Sequence, residues 1–404
     1  MSHPALGKRI LLGVTGSIAA YKAAEIASRL TQSGARVDVI LSESACKFIT
    51  PLTFQSVTGR KAFVDADLWG GEGHVTHVGL GHGADLFIIA PISANTLAKL
   101  AHGLGDNLLS LTALVTTCPL ILAPAMDAGM YSHPATQASV EILRQRQAVF
   151  IGPASGHLAS GLVGLGRLVE PADILGAARH LLSRGGPLAG KYLLVTAGGT
   201  QEPIDPVRIL TNRSSGKQGY AIAQAALDAG ADVTLITTPT ALTPPAGAQV
   251  VRVQTAAEMQ AAVLEHARRA DALVMAAAVA DFHPVSASSQ KIKKNSGLNH
   301  IPLEPTADIL ASLVQPRAQS GYPRRVIGFA AETHNLLENA ASKLKAKNLD
   351  LIVANDVTAP DAGFETSTNR VTLLYPDGRQ VPLPLQGKDQ VADELITILT
   401  EWLT

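Results

Sequence analysis

Several short polar stretches in this 404-residue chain have the composition of phosphate cradles. In the second half an apolar run, Tyr192–Thr196, leads into Gly198-Gly199-Thr200. A polar loop follows from Thr211 through Asn212, Arg213, Ser214, Ser215 and Gly216 to Lys217, and then an Ala-rich helical pattern. Strand, Gly-rich turn and helix in that order aim backbone N–H groups and a helix N-terminus at an anion. Lys343 and Lys347 lie four apart in ASKLKAKN, so a helix carries both on one face, as a phosphate clamp or as a solvated basic surface. Asp281 stands just past the apolar run containing Met275, Ala276, Ala277 and Ala278. Small side chains there let a base lie against the backbone, or simply pack as buried strand residues.

In the first half the turn is Gly13-Val14-Thr15-Gly16-Ser17, and the next strand ends in Leu41-Ser42. A dinucleotide site needs GxGxxG and an acid to hold a ribose, and neither is present. Hydroxyls at Ser17 and Ser42 suit a monophosphate, although Ser-rich turns also cap helices. Two further segments, Ala90 to Thr96 (APISANT) and Ala123 to Asp127 (APAMD), follow apolar runs. Both therefore fall at carboxyl ends of strands, where open α/β sheets bind ligands.

The elements that must position these residues read as two β-turn-α-β series. Arg9–Val14 is a strand, Ser17–Thr31 a helix closed by Gly34, and Val37–Leu41 the next strand. SGARVDVILS (33–42) is paralleled by AGADVTLITT (229–238). Further strands are expected at Leu86–Ala90, Leu120–Ala123 and Ala148–Ile151, then Val233–Thr237, Ala272–Ala276, Val326–Phe329 and Leu351–Ala354. The tail 369–385 reads as a hairpin turning at Asp377-Gly378, followed by a helix, Gln390–Leu403. Short buried runs alternating with helices specify an α/β chain of two doubly wound parallel sheets. Arg184-Gly185-Gly186-Pro187 interrupts the pattern, so the domains are expected at 1–188 and 189–404.

Composition excludes several classes. Formal net charge is zero and only 16% of residues are charged, so no basic surface calls for nucleic acid or an anionic membrane. Aromatic residues make up 4%, which leaves Ala, Val, Leu and Ile to fill the cores. Cys46 and Cys118, far apart and outside any CxxC, indicate neither a disulfide framework nor a zinc site. The N-terminal apolar run reads as a strand rather than a signal peptide. The charge-free stretch between Asp106 and Asp127, broken by prolines and hydroxyls, reads as helix end, strand and loop rather than a membrane span. A soluble, cytoplasmic protein is expected.

GSIAAYK, SANTLAKLAHGLGDNLL, PAMDAGMY and His77 together resemble the flavin-mononucleotide-dependent cysteine decarboxylases. AGGTQEPIDPVR, TNRSSGKQG, AAAVADF, KIKK, GFAAET and NLDLIVAND resemble the phosphopantothenate–cysteine ligases. In this order and over nearly the whole length, the chain is similar to the bacterial bifunctional family that joins the two in coenzyme A synthesis. The resemblance implies an N-terminal flavodoxin-like flavoprotein and a C-terminal Rossmann-like domain. It further implies 4′-phosphopantothenate, cysteine and CTP as substrates, FMN as cofactor and Mg2+ with the CTP. A homo-oligomer is implied, with a trimer-based decarboxylase core and paired ligase domains.

Carried over residue by residue, FMN contacts fall on Gly16, Ser17, Ile18, Ser42, Ser93, Ala94, Asn95, Thr96 and Ala125. CTP contacts fall on Met275, Ala276, Ala277, Asp281, Lys291, Ala307, Asp308, Ile309, Leu310, Phe329, Lys343 and Lys347. Asn212 matches the asparagine that turns over the acyl-cytidylate, and His77 the histidine of the decarboxylase. Metal ligands are not specified. By type alone His77 is a surface or capping histidine, and His74 and His82 are its equals.

Two positions depart from the family. Asp127 replaces the asparagine that holds the substrate carboxylate, and Ser160 replaces a proton-donating cysteine. An ionised Asp127 repels a carboxylate. Either Asp127 is protonated, or the carboxylate is held differently, or decarboxylation is weakened. Three competing readings follow: an NAD-linked dehydrogenase, opposed by the missing GxGxxG and ribose acid; a flavin-binding regulatory protein without catalysis, opposed by the intact ligase motifs; and a flavin decarboxylase acting on a peptide's C-terminal cysteine, opposed by the fused ligase-like half.

Overall fold

The computed structural model describes residues 3–69, 75–293, 300–332, 334–356 and 366–404. The chain divides into two compact units after Ser183. Leu188, the last residue assigned by sequence to the first domain, is buried in the second unit's core, and its N–H donates to the Ala229 carbonyl at 2.8 Å.

The first unit runs β1 (Arg9–Val14), α1 (Ala20–Gln32), β2 (Arg36–Leu41), α2 (Pro51–Thr58), β3 (Ala62–Phe63), α3 (Thr76–Gly81), β4 (Leu86–Ile92) and α4 (Ala94–His102). It continues with α5 (Leu108–Val115), β5 (Leu120–Pro124), α6 (Ala128–Ser132), α7 (Pro134–Gln145), β6 (Val149–Phe150), β7 (Ala154–His157), β8 (Val163–Arg167) and α8 (Pro171–Ser183). The parallel sheet has the order β3-β2-β1-β4-β5-β6. Without the two-residue edge β3, that is the flavodoxin-like order. Alternation along β1 sends Ile10, Leu12 and Val14 into one core and Leu11 into the other. All seven residues of β4 are buried, as expected of a strand covered on both faces.

Three local expectations are corrected. Helix α1 starts at Ala20 rather than Ser17, because the Ser17 hydroxyl accepts the Ala19 N–H and holds a turn. The charge-free stretch contains a whole helix, α5, started by a reciprocal Asn107–Ser110 cap. Its hydroxyls suggested loop, but Thr112 and Thr116 each donate to a carbonyl one turn back. The segment LASGLVGLGRL around Ser160, which the resemblance implies is a loop covering the substrate, belongs to a β7–β8 hairpin.

The second unit runs β9 (Tyr192–Ala197), β10 (Gln201–Pro203), β11 (Ile209–Thr211), α9 (Lys217–Asp228), β12 (Asp232–Thr237), β13 (Gln249–Arg252), α10 (Ala256–Ala267), β14 (Ala272–Met275), β15 (Phe282–Pro284) and β16 (Leu303–Pro305). After these come α11 (Ile309–Ser320), β17 (Arg325–Glu332), α12 (Leu336–Ala346), β18 (Leu351–Asp356), β19 (Thr368–Asn369), β20 (Val371–Leu374), β21 (Gln380–Pro382), β22 (Gln386–Gly387) and α13 (Lys388–Leu403). The main sheet has the order β13-β12-β9-β14-β17-β18-β20-β21, parallel as far as β18 and antiparallel beyond. Its six parallel strands follow the Rossmann order, with the switch point between β9 and β14. Helices α9 and α13 cover one face; α10, α11 and α12 cover the other. The expected tail hairpin is β20–β21.

Candidate functional site

In the first unit the sequence-derived residues gather at the carboxyl ends of β1, β2, β4 and β5. Gly16 sits against the residue after next to Ser42: a Cβ there would fall 2.5 Å from Ser44 Cβ. Thr15 joins the loops across the switch point, its hydroxyl donating to Pro91 O at 2.9 Å and accepting the Ser93 N–H at 2.9 Å. Ser93 then caps α4 by accepting the Thr96 N–H, so Ala94, Asn95 and Thr96 form that helix's first turn. Ser42 accepts the Ala45 N–H, and Ala125 is buried at the end of β5. Ile18 is exposed. His77 lies on α3, with a buried Nδ1 that has no hydrogen-bond partner among the described residues. His74 lies outside the described residues.

The two departures from the family touch each other. Ser160, in the β7–β8 turn, donates its hydroxyl to Asp127 Oδ2 at 2.7 Å, and the Gly129 N–H donates to Oδ1 at 2.9 Å. The Ser160 hydroxyl first, and the Gly129 N–H second, hold the Asp127 carboxyl below its ordinary range. These contacts favour the ionised form of Asp127.

In the second unit a cavity of about 600 Å³ opens at the switch point. It is lined by the Asn212–Gly219 loop, Met275–Val279, Asp281, Thr306–Leu310, Phe329–Ala331, Lys343, Lys347, Asn355, Asn369 and Lys388. Thr196 Oγ1 accepts the Ala277 N–H at 3.1 Å and Thr200 Oγ1 accepts the Ala280 N–H at 2.9 Å, fixing the strand that leaves β14. Asn212 Nδ2 donates to Ala278 O at 3.2 Å and Val279 O at 3.1 Å, so its loop closes over that strand. A Cβ on Gly219 would fall 2.6 Å from both Ala197 Cβ and Thr196 O, which is why α9 can start directly over the end of β9.

Asp308 caps α11 through the Ala311 N–H at 3.0 Å and pairs with Lys347 at 2.9 Å. Burial pushes its carboxyl up, but the Ala311 N–H and the Lys347 ammonium outweigh this and lower it. Lys343 and Lys347 both line the cavity. Lys291 is exposed and is not among the lining residues. Its neighbour Ile292 is anchored: the N–H donates to Asp205 Oδ2 at 3.1 Å, and the carbonyl accepts from Arg208 at 3.0 Å. Lys294, the end of KIKK, lies outside the described residues.

Sequence reasoning missed Thr15, Thr196, Thr200 and the Asp205–Arg208 pair, whose roles depend on partners distant in the chain. It also missed Asn355, Asn369 and Lys388 as cavity residues. Among the described residues no cluster of three His, Cys, Asp or Glu side chains is placed to hold a metal, and no helix is long and apolar enough to cross a membrane.

A family model described as flavoprotein matches residues 1–183, and one described as DNA/pantothenate metabolism flavoprotein C-terminal domain matches 188–403. The chain is 44% identical over 392 residues to the coenzyme A biosynthesis bifunctional protein CoaBC of Bacillus subtilis, covering 96% of each. It is 44% identical over 415 aligned positions to CoaBC of Mycobacterium tuberculosis H37Rv, covering 100% of this chain and 99% of the relative. To CoaBC of Vibrio cholerae it is 41% identical over 399 residues, covering 98% of each. A solved C-terminal domain of a CoaBC protein is 42% identical, covering 54% of this chain and 98% of its own, with a TM-score of 0.45.

Proposed function

Because this chain belongs to the family of bifunctional coenzyme A biosynthesis proteins, CoaBC, we propose a division of labour between its two units. The second unit ligates 4′-phosphopantothenate to cysteine at the expense of CTP. The pantothenate carboxylate oxygen attacks the α-phosphorus and pyrophosphate leaves. The cysteine amine then attacks the acyl carbon, and CMP leaves with the carboxylate oxygen. Both steps build negative charge on phosphate oxygens, which preorganised cations stabilise. Lys343 and Lys347 supply that charge, with Lys347 aimed by Asp308. Met275, Ala276 and Ala277 offer a close-approach wall for cytosine, Asp281 faces the ribose, and Ala307–Leu310 and Phe329 complete the nucleotide side. Lys291, exposed beside the anchored Ile292, is the further cation that the resemblance assigns to the nucleotide, and Asn212 orders the acyl-cytidylate for attack. Mg2+ brought with the nucleotide would add to the charge stabilisation that Lys343 and Lys347 supply.

The first unit decarboxylates the resulting phosphopantothenoylcysteine. FMN fits the loops at the switch point, with Gly16, Ser17, Ile18, Ser42, Ala125 and the first turn of α4 (Ser93, Ala94, Asn95 and Thr96) around it. The buried, unpartnered Nδ1 of His77 is a polar atom awaiting a ligand. When bound, the flavin supplies the reversible removal of a hydride equivalent that makes carbon dioxide a good leaving group. His77 orients or deprotonates the substrate, and Ser160 stands at the proton-donor position. Exposed Ile18, Tyr21, Leu52 and Trp69 on this unit favour self-association, as expected of a homo-oligomer. A cytoplasmic location goes with these substrates.

The observation that carries this reading is the lysine-lined cavity at the Rossmann switch point. Purified protein given 4′-phosphopantothenate, cysteine, CTP and Mg2+ is expected to yield 4′-phosphopantetheine, carbon dioxide and CMP by mass spectrometry. Absence of any CTP-dependent product sinks the reading. The Asp127–Ser160 hydrogen bond favours a second reading for the first unit alone, a flavin-binding unit with slow chemistry. Accumulation of phosphopantothenoylcysteine with flavin bound would select it.

A further inference from the structure

His77 sits on α3, a helix of six residues with no side-chain cap at its start. Its Nδ1 has no hydrogen-bond partner among the described residues, so through that nitrogen the ring has no tether of its own and goes where α3 puts it. Packing holds the helix through Leu80, buried in one of the unit's cores. Two hydrogen bonds bracket His77 as well. Thr76 Oγ1 donates to Asp67 O at 3.0 Å, and Arg9 Nη1 donates to Gly79 O at 3.0 Å. Gly79 O belongs to the last turn of α3, whose carbonyls have no intrahelical donor.

Arg9 is itself built into place at the head of β1. Its Nε donates to Asp38 Oδ2 at 3.0 Å, and the other oxygen of this buried carboxylate accepts from Arg60 Nε at 2.7 Å. The Arg9 N–H donates to Asp85 Oδ2 at 2.8 Å, and the Arg9 carbonyl accepts the Asp85 N–H at 2.8 Å. Gly83 leaves the guanidinium its space, since a Cβ there would overlap Arg9 Nη1. A planar guanidinium held at Nε by a buried carboxylate presents its remaining donors in fixed directions. The bond to Gly79 O is therefore directed, unlike that of a surface arginine free to swing. Neither Arg9 nor Asp38 belongs to the flavin contacts or to the groups assigned to the reaction.

We propose that Arg9, aimed by Asp38, is a positioning residue for the decarboxylation: it fixes the last turn of α3 and, through the helix, the His77 ring. What the ring does rests on the decarboxylase reading. Arg9 touches no reacting atom. Its effect is on where the imidazole stands, and a misplacement of about 1 Å in such a group costs on the order of 100-fold in rate.

Two variants of the full-length, flavin-loaded protein test this, each assayed below the onset of its own unfolding curve. Arg9→Met removes the guanidinium, and Gly83→Ala keeps every charge but crowds Nη1 away from Gly79. Both are expected to lower kcat for carbon dioxide release from phosphopantothenoylcysteine by about ten-fold. KM and the affinity for FMN are expected to stay within about two-fold of the parent, the split that separates a misplaced group from a loosened unit. Amide exchange read by mass spectrometry is expected to quicken over α3 and to stay unchanged over α5 and β4. A parental kcat in both variants, or a rise in KM and a loss of flavin in step with kcat, overturns the positioning role. Unchanged exchange over α3 overturns the tie itself. His77→Asn is measured alongside. If it releases carbon dioxide at the parent rate, the role read for His77 fails, and amide exchange alone then decides whether Arg9 holds α3.

Discussion

Asp127 stands where the resemblance to the decarboxylases leads one to expect asparagine. Its carboxyl is held below the ordinary range by the Ser160 hydroxyl and the Gly129 N–H, so it carries its charge throughout pH 5–8. A lowered carboxyl favours the hydrogen-bonded arrangement at neutral pH and loses that contribution only as pH falls through the lowered value. The hairpin bearing Ser160 is therefore latched to α6 under working conditions, by a group that repels a substrate carboxylate. Asp127→Asn is accordingly expected to lower KM for phosphopantothenoylcysteine by about five-fold, measured as carbon dioxide release under steady-state conditions. An unchanged KM would mean that the carboxylate is held elsewhere.

At the scale of elements, two strands and one helix carry tests. Asp38, buried in β2, accepts from Arg9 Nε at 3.0 Å and from Arg60 Nε at 2.7 Å, joining β1, β2 and the turn before β3. Asp38→Ala leaves two partly exposed guanidinium groups facing each other and is expected to cost about 2–3 kcal/mol, somewhat under the value for a fully buried pair. Urea unfolding followed by flavin release checks this. Lys388, at the first turn of α13, makes the opposite case. Burial and the neighbouring Lys217 push its ammonium down to about 8. Below that value it is charged in both folded and unfolded chains. Between about 8 and its ordinary value the unfolded chain binds more protons, so its contribution to stability rises with pH. Lys388→Met is expected to raise the unfolding temperature at pH 7 by roughly 2–4 °C and to flatten the pH dependence above 8. A fall in unfolding temperature would count against the cost assigned to this lysine. Both residues also bear on what was legible beforehand. The strands β1, β4, β9 and β14 announced themselves as short apolar runs, and the cradle loops followed from what stood after them. Helix α5 did not, because its hydroxyls are satisfied one turn back, a pairing that exists only once the helix forms. Lys388 stands 171 positions beyond Lys217, and only the packing of α13 on α9 brings them to one cavity.

At the scale of the molecule, the chain holds two units, each with its own sheet and its own pair of apolar cores. Leu11, Ile40, Phe87 and Leu12, Val39, Ile88 fill the first unit; Leu193, Val195, Val353 and Leu194, Leu273, Ile352 fill the second. Neither site as described draws a residue from the other unit. Chemistry in one is therefore expected to survive loss of chemistry in the other, with the free intermediate as the only link. His77→Asn changes a ring on α3 and replaces none of the residues that line the cavity at β9 and β14. It is expected to abolish carbon dioxide release while CTP-dependent formation of phosphopantothenoylcysteine continues within two-fold of the parent rate. Asn212→Ala removes the amide that donates to Ala278 and Val279. It is expected to cut ligation by about 100-fold, the scale of losing one preorganised group, while supplied phosphopantothenoylcysteine is still decarboxylated at the parent rate. Quantifying both products in each variant separates independent units from a coupled pair: if His77→Asn slowed ligation as much as decarboxylation, the intermediate would have to pass between sites without release, and the two cores would not be sufficient to define two enzymes.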